Sequence, residues 1–316
     1  MKKDLRDVRE YHLHELTGDD HEQLVIHLCR DILGMGTVNF SEGPDGGRDG
    51  KFVGTAQKYP SSAAPWSGCF IIQSKRVSDP TKSCSDPDFK KKVLDPEIPK
   101  IKKLRENGEC DAYLIFTNRK LAARTEPRLI QYIKDGTLVD NVGILGVETI
   151  SSYLDVNPQI VSACGVNIFR GPLRIFPGEL RDIIVRFHDH WHGVVRDAEA
   201  KFSFDHPGMS KKNDLNKLSS AYFDYMDENS SSYFYKIHEF LTDPKNRDLQ
   251  EYYDTFADEL RGKIIVKRDS FDKFEEVFAY LFDHIIDTVP ELKPKRRLVN
   301  VFLHYMCCQC DIGRKK

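Results

Sequence analysis

Two short runs of residues, 43–50 and 68–76, carry side chains that could do hydrolytic chemistry. The first run, Gly-Pro-Asp-Gly-Gly-Arg-Asp-Gly, is rich in turn residues and places a carboxylate at Asp49. The second run is a short apolar strand pattern that ends in Gln-Ser-Lys at 73–75. An acid before one strand and Gln-x-Lys at the end of the next are typical of a hydrolytic metal site.

The residue types in this pattern suit phosphodiester cleavage. A divalent ion neutralises charge on the phosphate oxygens and acidifies a water molecule, and Mg²⁺ prefers oxygen ligands. Asp49, the side-chain oxygen of Gln73 and the backbone carbonyl of Ser74 are the candidate ligands. Glu22, in a helical pattern upstream, could hold the ion or a water bound to it. Lys75 shares one strand face with Gln73, so its ammonium could orient the attacking water or stabilise developing charge.

The composition bounds the class of protein. A chain of 316 residues is long enough for roughly two domains, and 40% hydrophobic with 30% charged residues is ordinary for a globular protein. The sequence shows no apolar run near the ~20 residues of a membrane span and no apolar core of a signal peptide after Met1. We therefore expect a cytoplasmic protein that does not associate with a membrane.

The net charge of −2 excludes a protein that coats DNA through overall basicity. Contacts with DNA would have to come from local basic residues. Arg48 and Arg76 adjoin the two runs of the candidate site, and Arg119 follows a predicted strand end. We predict these three arginines as candidates for phosphate contact.

The N-terminal half alternates between helical and strand patterns. Helix periodicity covers 16–34, 121–135 and 148–155, and a basic amphipathic helix, interrupted near Pro96 and Pro99, covers 89–107. Predicted strands cover 36–42, 49–54, 69–74, 110–117 and 142–147. This alternation predicts a mixed sheet flanked by helices, an α/β arrangement. His12 and His14, in a polar lead-in segment, are expected to be surface residues.

The character of the chain changes between residues 156 and 178, where Pro and Gly punctuate the sequence. We predict a domain boundary there, giving domains 1–168 and 169–316. Beyond the boundary, apolar residues recur at helical spacing and strand patterns nearly vanish. The second domain is therefore predicted to be an all-α helical bundle.

The order of Glu22, the 43–50 run and Gln73-Ser74-Lys75 resembles the PD-(D/E)xK nuclease superfamily, with Gln in place of the usual acid as in Mrr-like restriction endonucleases. The resemblance covers roughly the first half of the chain. It implies a restriction-endonuclease-like fold and cleavage of double-stranded DNA with Mg²⁺, for which Mn²⁺ may substitute. It also implies that Asp49 is a metal ligand, Gln73 the second ligand and Lys75 the catalytic lysine.

The C-terminal stretch contains His-Tyr-Met at 304–306 and Cys-Asp-Ile-Gly at 310–313. It resembles the terminal signature of helical tails in three-component bacterial systems built around an SMC-like ATPase, of which the Lamassu defence family is an example. The resemblance implies that the second domain assembles with the SMC-like ATPase and a small bridging subunit. It further implies a nuclease that is held inactive until foreign DNA is sensed and is then activated by forming a homo-oligomer.

Two other functions compete with this interpretation. One is a catalytically silent nuclease fold that serves only as a scaffold for subunit contact. The other is a nuclease effector gated by a signalling nucleotide bound to the helical half, although residues 178–316 contain no glycine loop of the kind that cradles phosphate.

Overall fold

The computed structural model describes residues 11–40, 48–166, 173–201, 218–267 and 273–309. The chain divides into two compact units, Met1–Gly171 and Pro172–Lys316. Each unit has its own hydrophobic core.

In the described part of the N-terminal unit, five strands form one sheet in the order β1-β2-β3-β4-β5. Their bounds are β1 Val38–Asn39, β2 Gly50–Thr55, β3 Ser67–Lys75, β4 Ala112–Thr117 and β5 Asn141–Leu145. The first three strands pair antiparallel, and β3, β4 and β5 pair parallel. The predicted mixed sheet is therefore confirmed.

Helices of the N-terminal unit connect and flank the strands. Their bounds are α1 Gly18–Ile32, α2 Asp95–Glu106, α3 Glu126–Thr137, α4 Val147–Val156 and α5 Pro158–Ala163, with a 3₁₀ turn at Leu13–Glu15 and a π-helix at Phe89–Leu94. The interruption expected near Pro96 and Pro99 takes the form of a change from π- to α-helical winding at Asp95. Pro96 lies in the first turn of α2, next to that change of winding, and Pro99 lies inside the helix.

Strands β3, β4 and β5 are largely buried on both faces. Along β3, Phe70 and Ile72 pack into a core that includes Leu24 and Leu28 of α1. The alternating residue Ile71 packs into a second core, which includes residues of α2 and α3. Side chains alternate between the two faces because the strand period is two residues. The even-numbered side chains of β3 therefore face α1, and the odd-numbered ones face α2 and α3.

The C-terminal unit is helical throughout its described residues, which confirms the predicted helical C-terminal region. The helices are α6 Pro177–Lys201, α7 Ser220–Asn229, α8 Phe234–Thr242, α9 Arg247–Lys267, α10 Phe274–Thr288 and α11 Arg296–Cys308. Aromatic rings fill much of its core, and Phe302 contacts the rings of Phe187, Tyr253 and Phe256. None of the described helices combines the length and apolar character needed to cross a bilayer.

One residue of the C-terminal signature has a defined role in this core. His304 is fully buried, and its ring nitrogens lie 3.0 Å from the Tyr222 hydroxyl and 2.7 Å from the Ser230 hydroxyl. These contacts tie α11 to α7 and to the turn that follows α7, so His304 is part of the core. The Cys-Asp-Ile-Gly half of the signature lies outside the described residues.

Candidate functional site

The predicted acid, Asp49, meets the end of β3 at the β2–β3 pair. Gly50 pairs with Ile72, so Asp49, just before β2, lies opposite the end of β3. The Asp49 carboxylate accepts a hydrogen bond from the backbone N–H of Ser74 at 2.6 Å. Because the N–H and C=O of a strand residue point to the same edge of the strand, the carbonyl of Ser74 also faces Asp49. The structure thus brings two of the predicted oxygen donors together.

The side chains of Gln73 and Lys75 lie on the face of β3 that is directed towards α2. Gln73 is 1% exposed, and its amide donates to Glu97 Oε2 at 2.8 Å while its oxygen accepts from the Tyr113 hydroxyl. Lys75 is 26% exposed and donates to Glu97 Oε1 at 3.1 Å. The buried amide is held in place, and the ammonium reaches a partly open surface.

Glu97, in the first turn of α2, joins the two predicted residues, and the sequence analysis missed it. Its carboxylate contacts Gln73 and Lys75 and also accepts from Lys100 at 3.2 Å. Burial alone would raise the pKa of Glu97. The hydrogen bond from Gln73 and the nearby charge and hydrogen bonds of Lys75 and Lys100 outweigh burial, so the pKa lies below its ordinary value. Glu97 is therefore a second carboxylate, ionised at neutral pH.

Tyr113 on β4 is a buried hydrogen-bond partner of the Gln73 side chain. Burial raises the pKa of Tyr113 well above its ordinary value, and the charges of Glu97 and Asp49 raise it further. The phenol therefore stays protonated and serves as a donor to Gln73. Tyr113 thus holds the Gln73 amide from β4, as Glu97 does from α2.

This donor set fits a hard divalent cation. It contains the carboxylates of Asp49 and Glu97, the amide oxygen of Gln73 and the carbonyl of Ser74, and oxygen ligands of these kinds are those that Mg²⁺ takes in proteins. The Gln73 oxygen keeps a lone pair after accepting from Tyr113, since an amide oxygen has two. The residues present therefore fit the predicted metal.

Glu22 lies on α1, beside the end of β3. It lines a pocket of about 240 Å³ together with Ser74, Lys75 and Arg76. Its neighbour His21 is buried, with Nδ1 2.6 Å from the Ser74 hydroxyl. Burial, with the charge of Arg76, lowers the pKa of His21 to about 3, so the ring is neutral near pH 7.

The three predicted DNA-contact arginines have protein partners. Arg48 pairs with Glu109 at 3.1 Å, and Arg76 donates to the backbone carbonyl of His14 at 2.7 Å. Arg119 makes two hydrogen bonds to Asp88, at 3.1 and 3.0 Å, with its guanidinium over the ring of Phe89. The pairing accounts for the burial of Arg119 at its strand end, and contact of the three arginines with phosphate stays a prediction.

One expectation about the lead-in segment is wrong. His14 was expected at the surface, but it is 9% exposed and its neighbour Glu15 is 3% exposed. The backbone of this segment is tied to the end of β3 through Arg76, which draws the segment against the body of the unit. Hydrophobic periodicity does not predict this contact between residues that lie far apart in the chain.

Comparison with protein families matched one region of the chain. Residues 169–313 match the model of C-terminal domain 12 of the ABC-three component (ABC-3C) systems. Comparison with curated proteins and with solved structures found no match. The matched region coincides with the helical unit described above. The C-terminal region is therefore similar to this domain, which supports membership of the protein in an ABC-three component system.

Proposed function

We propose that the protein is a metal-dependent endonuclease for double-stranded DNA and the effector of an ABC-three component defence system. The observation that carries the proposal is the convergence of Asp49, Gln73 and Lys75 at the end of β3, where Glu97 joins Gln73 to Lys75. The mixed order of the sheet, antiparallel up to β3 and parallel beyond it, supports a restriction-endonuclease-like fold.

Each residue of the site has a role in this proposal. Asp49, Glu97, the Gln73 oxygen and the Ser74 carbonyl would hold Mg²⁺ or, in its place, Mn²⁺. The bound ion would supply charge neutralisation at the scissile phosphate and acidify a water molecule. Lys75, positioned by Glu97, places an ammonium where negative charge develops. The hydrogen bonds of Gln73 with Tyr113 and Glu97 hold its side chain in position for this role.

Glu22 is proposed as the residue that holds a water or an ion on the α1 side. The pocket it lines with Lys75 gives the lysine an open approach, which a phosphate group could use. Arg76 lies in the same pocket and adds positive charge there.

The match of the C-terminal region supports a role in assembly. We propose that this unit contacts an SMC-like ATPase and a small bridging subunit, as in Lamassu-type systems. In this proposal, the nuclease is restrained in the complex and is activated by self-association when the ATPase senses foreign DNA.

Plasmid cleavage with Mg²⁺ or Mn²⁺ tests the enzyme. We expect metal-dependent cutting by the wild type, and a loss of roughly 100-fold or more in Lys75→Ala and Asp49→Asn, because each removes a group that acts on developing charge or on the metal. Lys102→Ala is the matched control, since this lysine lies exposed on α2. A cleavage rate that rises steeply with protein concentration would support activation by self-association.

The alternative function, a catalytically silent scaffold subunit, predicts a different experimental outcome. If the wild type stays silent with the ATPase and bridging subunits, ATP and linear DNA all present, while it still assembles with them, the nuclease proposal is wrong. Assembly without cleavage would identify a catalytically silent subunit.

A further inference from the structure

A second cluster of possible metal ligands lies in the segment that precedes α1. The side chains of His12, His14 and Glu15 place one imidazole nitrogen each and one carboxylate oxygen within 4.8 Å of one another. The two imidazole rings meet edge to face with centroids 5.6 Å apart. No residue of this cluster belongs to the site formed by Asp49 and Glu97.

Core packing and hydrogen bonds fix the backbone of this segment. Tyr11 and Leu13 are buried in the core, and the Tyr11 hydroxyl donates to Asp155 at 3.1 Å. The Glu15 N–H closes a turn onto the His12 carbonyl at 3.0 Å, and Arg76 donates to the His14 carbonyl at 2.7 Å. The backbone contacts therefore pre-organise the three side chains.

The chemistry of the three side chains points to a transition metal. Two histidine nitrogens and one carboxylate oxygen are a ligand set that Zn²⁺ takes, with water or another group in the fourth position. Imidazole ligands also favour Zn²⁺ over Mg²⁺, which prefers oxygen ligands. We propose that His12, His14 and Glu15 bind one Zn²⁺ ion.

The distances allow this with small movements. Tetrahedral Zn²⁺ with bonds of about 2.0–2.1 Å sets its ligand atoms roughly 3.3 Å apart. The three atoms already lie within 4.8 Å, so side-chain rotation on the fixed backbone brings them to that spacing. The ion would stiffen the segment that Arg76 ties to the end of β3, beside Lys75.

The competing arrangement is a cluster held by protein groups alone, with no metal ion. Zinc content of the full-length chain separates the two. The protein is stripped with a chelator, and Zn²⁺ is then titrated in competition with a chromophoric chelator. We expect one tight site in the wild type and at least a tenfold weaker site, or none, in His12→Ala and Glu15→Gln. His27→Ala, a histidine of α1 outside the cluster, is the matched control and is expected to bind as the wild type does.

Two further measurements keep the test decisive. Co²⁺ in the same site should give a spectrum without thiolate charge-transfer bands, which excludes binding by the cysteines. Thermal unfolding should shift upward with Zn²⁺ in the wild type and not in Glu15→Gln, a variant that preserves side-chain size. Equal zinc binding in all variants, or no tight site in the wild type, would overturn the proposal. None of these measurements depends on DNA cleavage, so they leave the nuclease proposal to its own test.

Discussion

At the residue scale, the Glu97 carboxylate is the centre of the candidate active site. The strand motif carries Gln73 where an acid would be the simpler metal ligand, and Glu97 supplies a carboxylate next to that position from a different element. Its hydrogen bonds to Gln73 and Lys75 explain both why it is ionised and why the two strand residues are held in place. Glu97 is thus a metal ligand as well as a positioning residue in the nuclease proposal.

Substitution of Glu97 by Gln tests this assignment. The variant keeps the size of the side chain but removes the charge, so we expect metal-dependent cleavage to fall by roughly 100-fold or more. The metal concentration for half-maximal cleavage should rise as well, because one ligand charge is lost. Both are measured by cleavage rates over a Mg²⁺ titration.

The matched control for this experiment is Glu106→Gln, since Glu106 lies exposed near the end of the same helix. It should cleave as the wild type does. Wild-type rates in Glu97→Gln would remove Glu97 from the site and leave Asp49 as its carboxylate.

At the element scale, the start of α1 organises several of the residues under discussion. Thr17 caps the helix: its side-chain oxygen accepts from the Asp20 N–H at 3.1 Å, and the Asp20 carboxylate accepts from the Thr17 N–H at 3.3 Å. His21 and Glu22 follow in the next turn, beside the end of β3. The cap therefore sets where α1 begins and where these two side chains lie.

We expect Thr17→Ala to lower the free energy of unfolding of the N-terminal unit by about 1 kcal/mol, because the cap hydrogen bond to Asp20 is lost. Urea denaturation followed by circular dichroism measures the change. Ser219→Ala removes the corresponding cap of α7, in the C-terminal unit, and is the control. An equal effect of both variants on the transition of the N-terminal unit would contradict this assignment.

At the scale of the whole molecule, each unit contains a fully buried histidine. Burial, with the charge of Arg76, lowers the pKa of His21, and burial lowers that of His304; both fall from the ordinary value of 6.5 to about 3. The folded chain therefore keeps both rings neutral at a pH where the unfolded chain protonates them. Unfolding takes up protons in that range, so acid favours the unfolded state.

The sign and size of this pH dependence can be measured. As the pH falls from about 6 to 5, each histidine should lower the free energy of unfolding of its own unit by about 1 kcal/mol, with a limiting slope of about 1.4 kcal/mol per pH unit. Guanidinium denaturation at several pH values gives the slope. His304→Gln should reduce the slope of the free energy of unfolding against pH for the C-terminal unit alone. Equal stability of the wild type at pH 7 and pH 5 would contradict the assignment.

The choice of pH range keeps the titration of Asp88 out of the measurement. Burial by itself would raise the pKa of Asp88. The hydrogen bonds and charges of Arg119 and Lys82 outweigh burial and lower this pKa to about 2. The ionised Asp88 carboxylate therefore stabilises the fold at pH values above 3.8, the ordinary pKa of an aspartate. This contribution is lost as the pH falls towards about 2. Above pH 5 this group contributes a constant amount.

The amino-acid sequence by itself determined the kinds and order of the elements. Alternating or continuous apolar runs of strand length mark the strands and patterns of 3.6 residues mark the helices, because each pattern depends on neighbours in the chain. The mixed sheet and the helical C-terminal region follow from those patterns. The sequence also picked out Asp49, Gln73 and Lys75 as candidates, since the acid and the Gln-x-Lys lie at the ends of adjacent predicted strands.

Only the tertiary structure decided which distant residues meet these candidates. Glu97 lies 22 residues beyond Lys75 and reaches it because α2 packs on one face of the sheet. The burial of His14 depends on a contact with Arg76, 62 residues away. Such contacts depend on sheet register, loop paths and packing between elements, and local periodicity contains none of these. The sequence therefore determines the elements and part of the site, while long-range packing completes the set of charges around it.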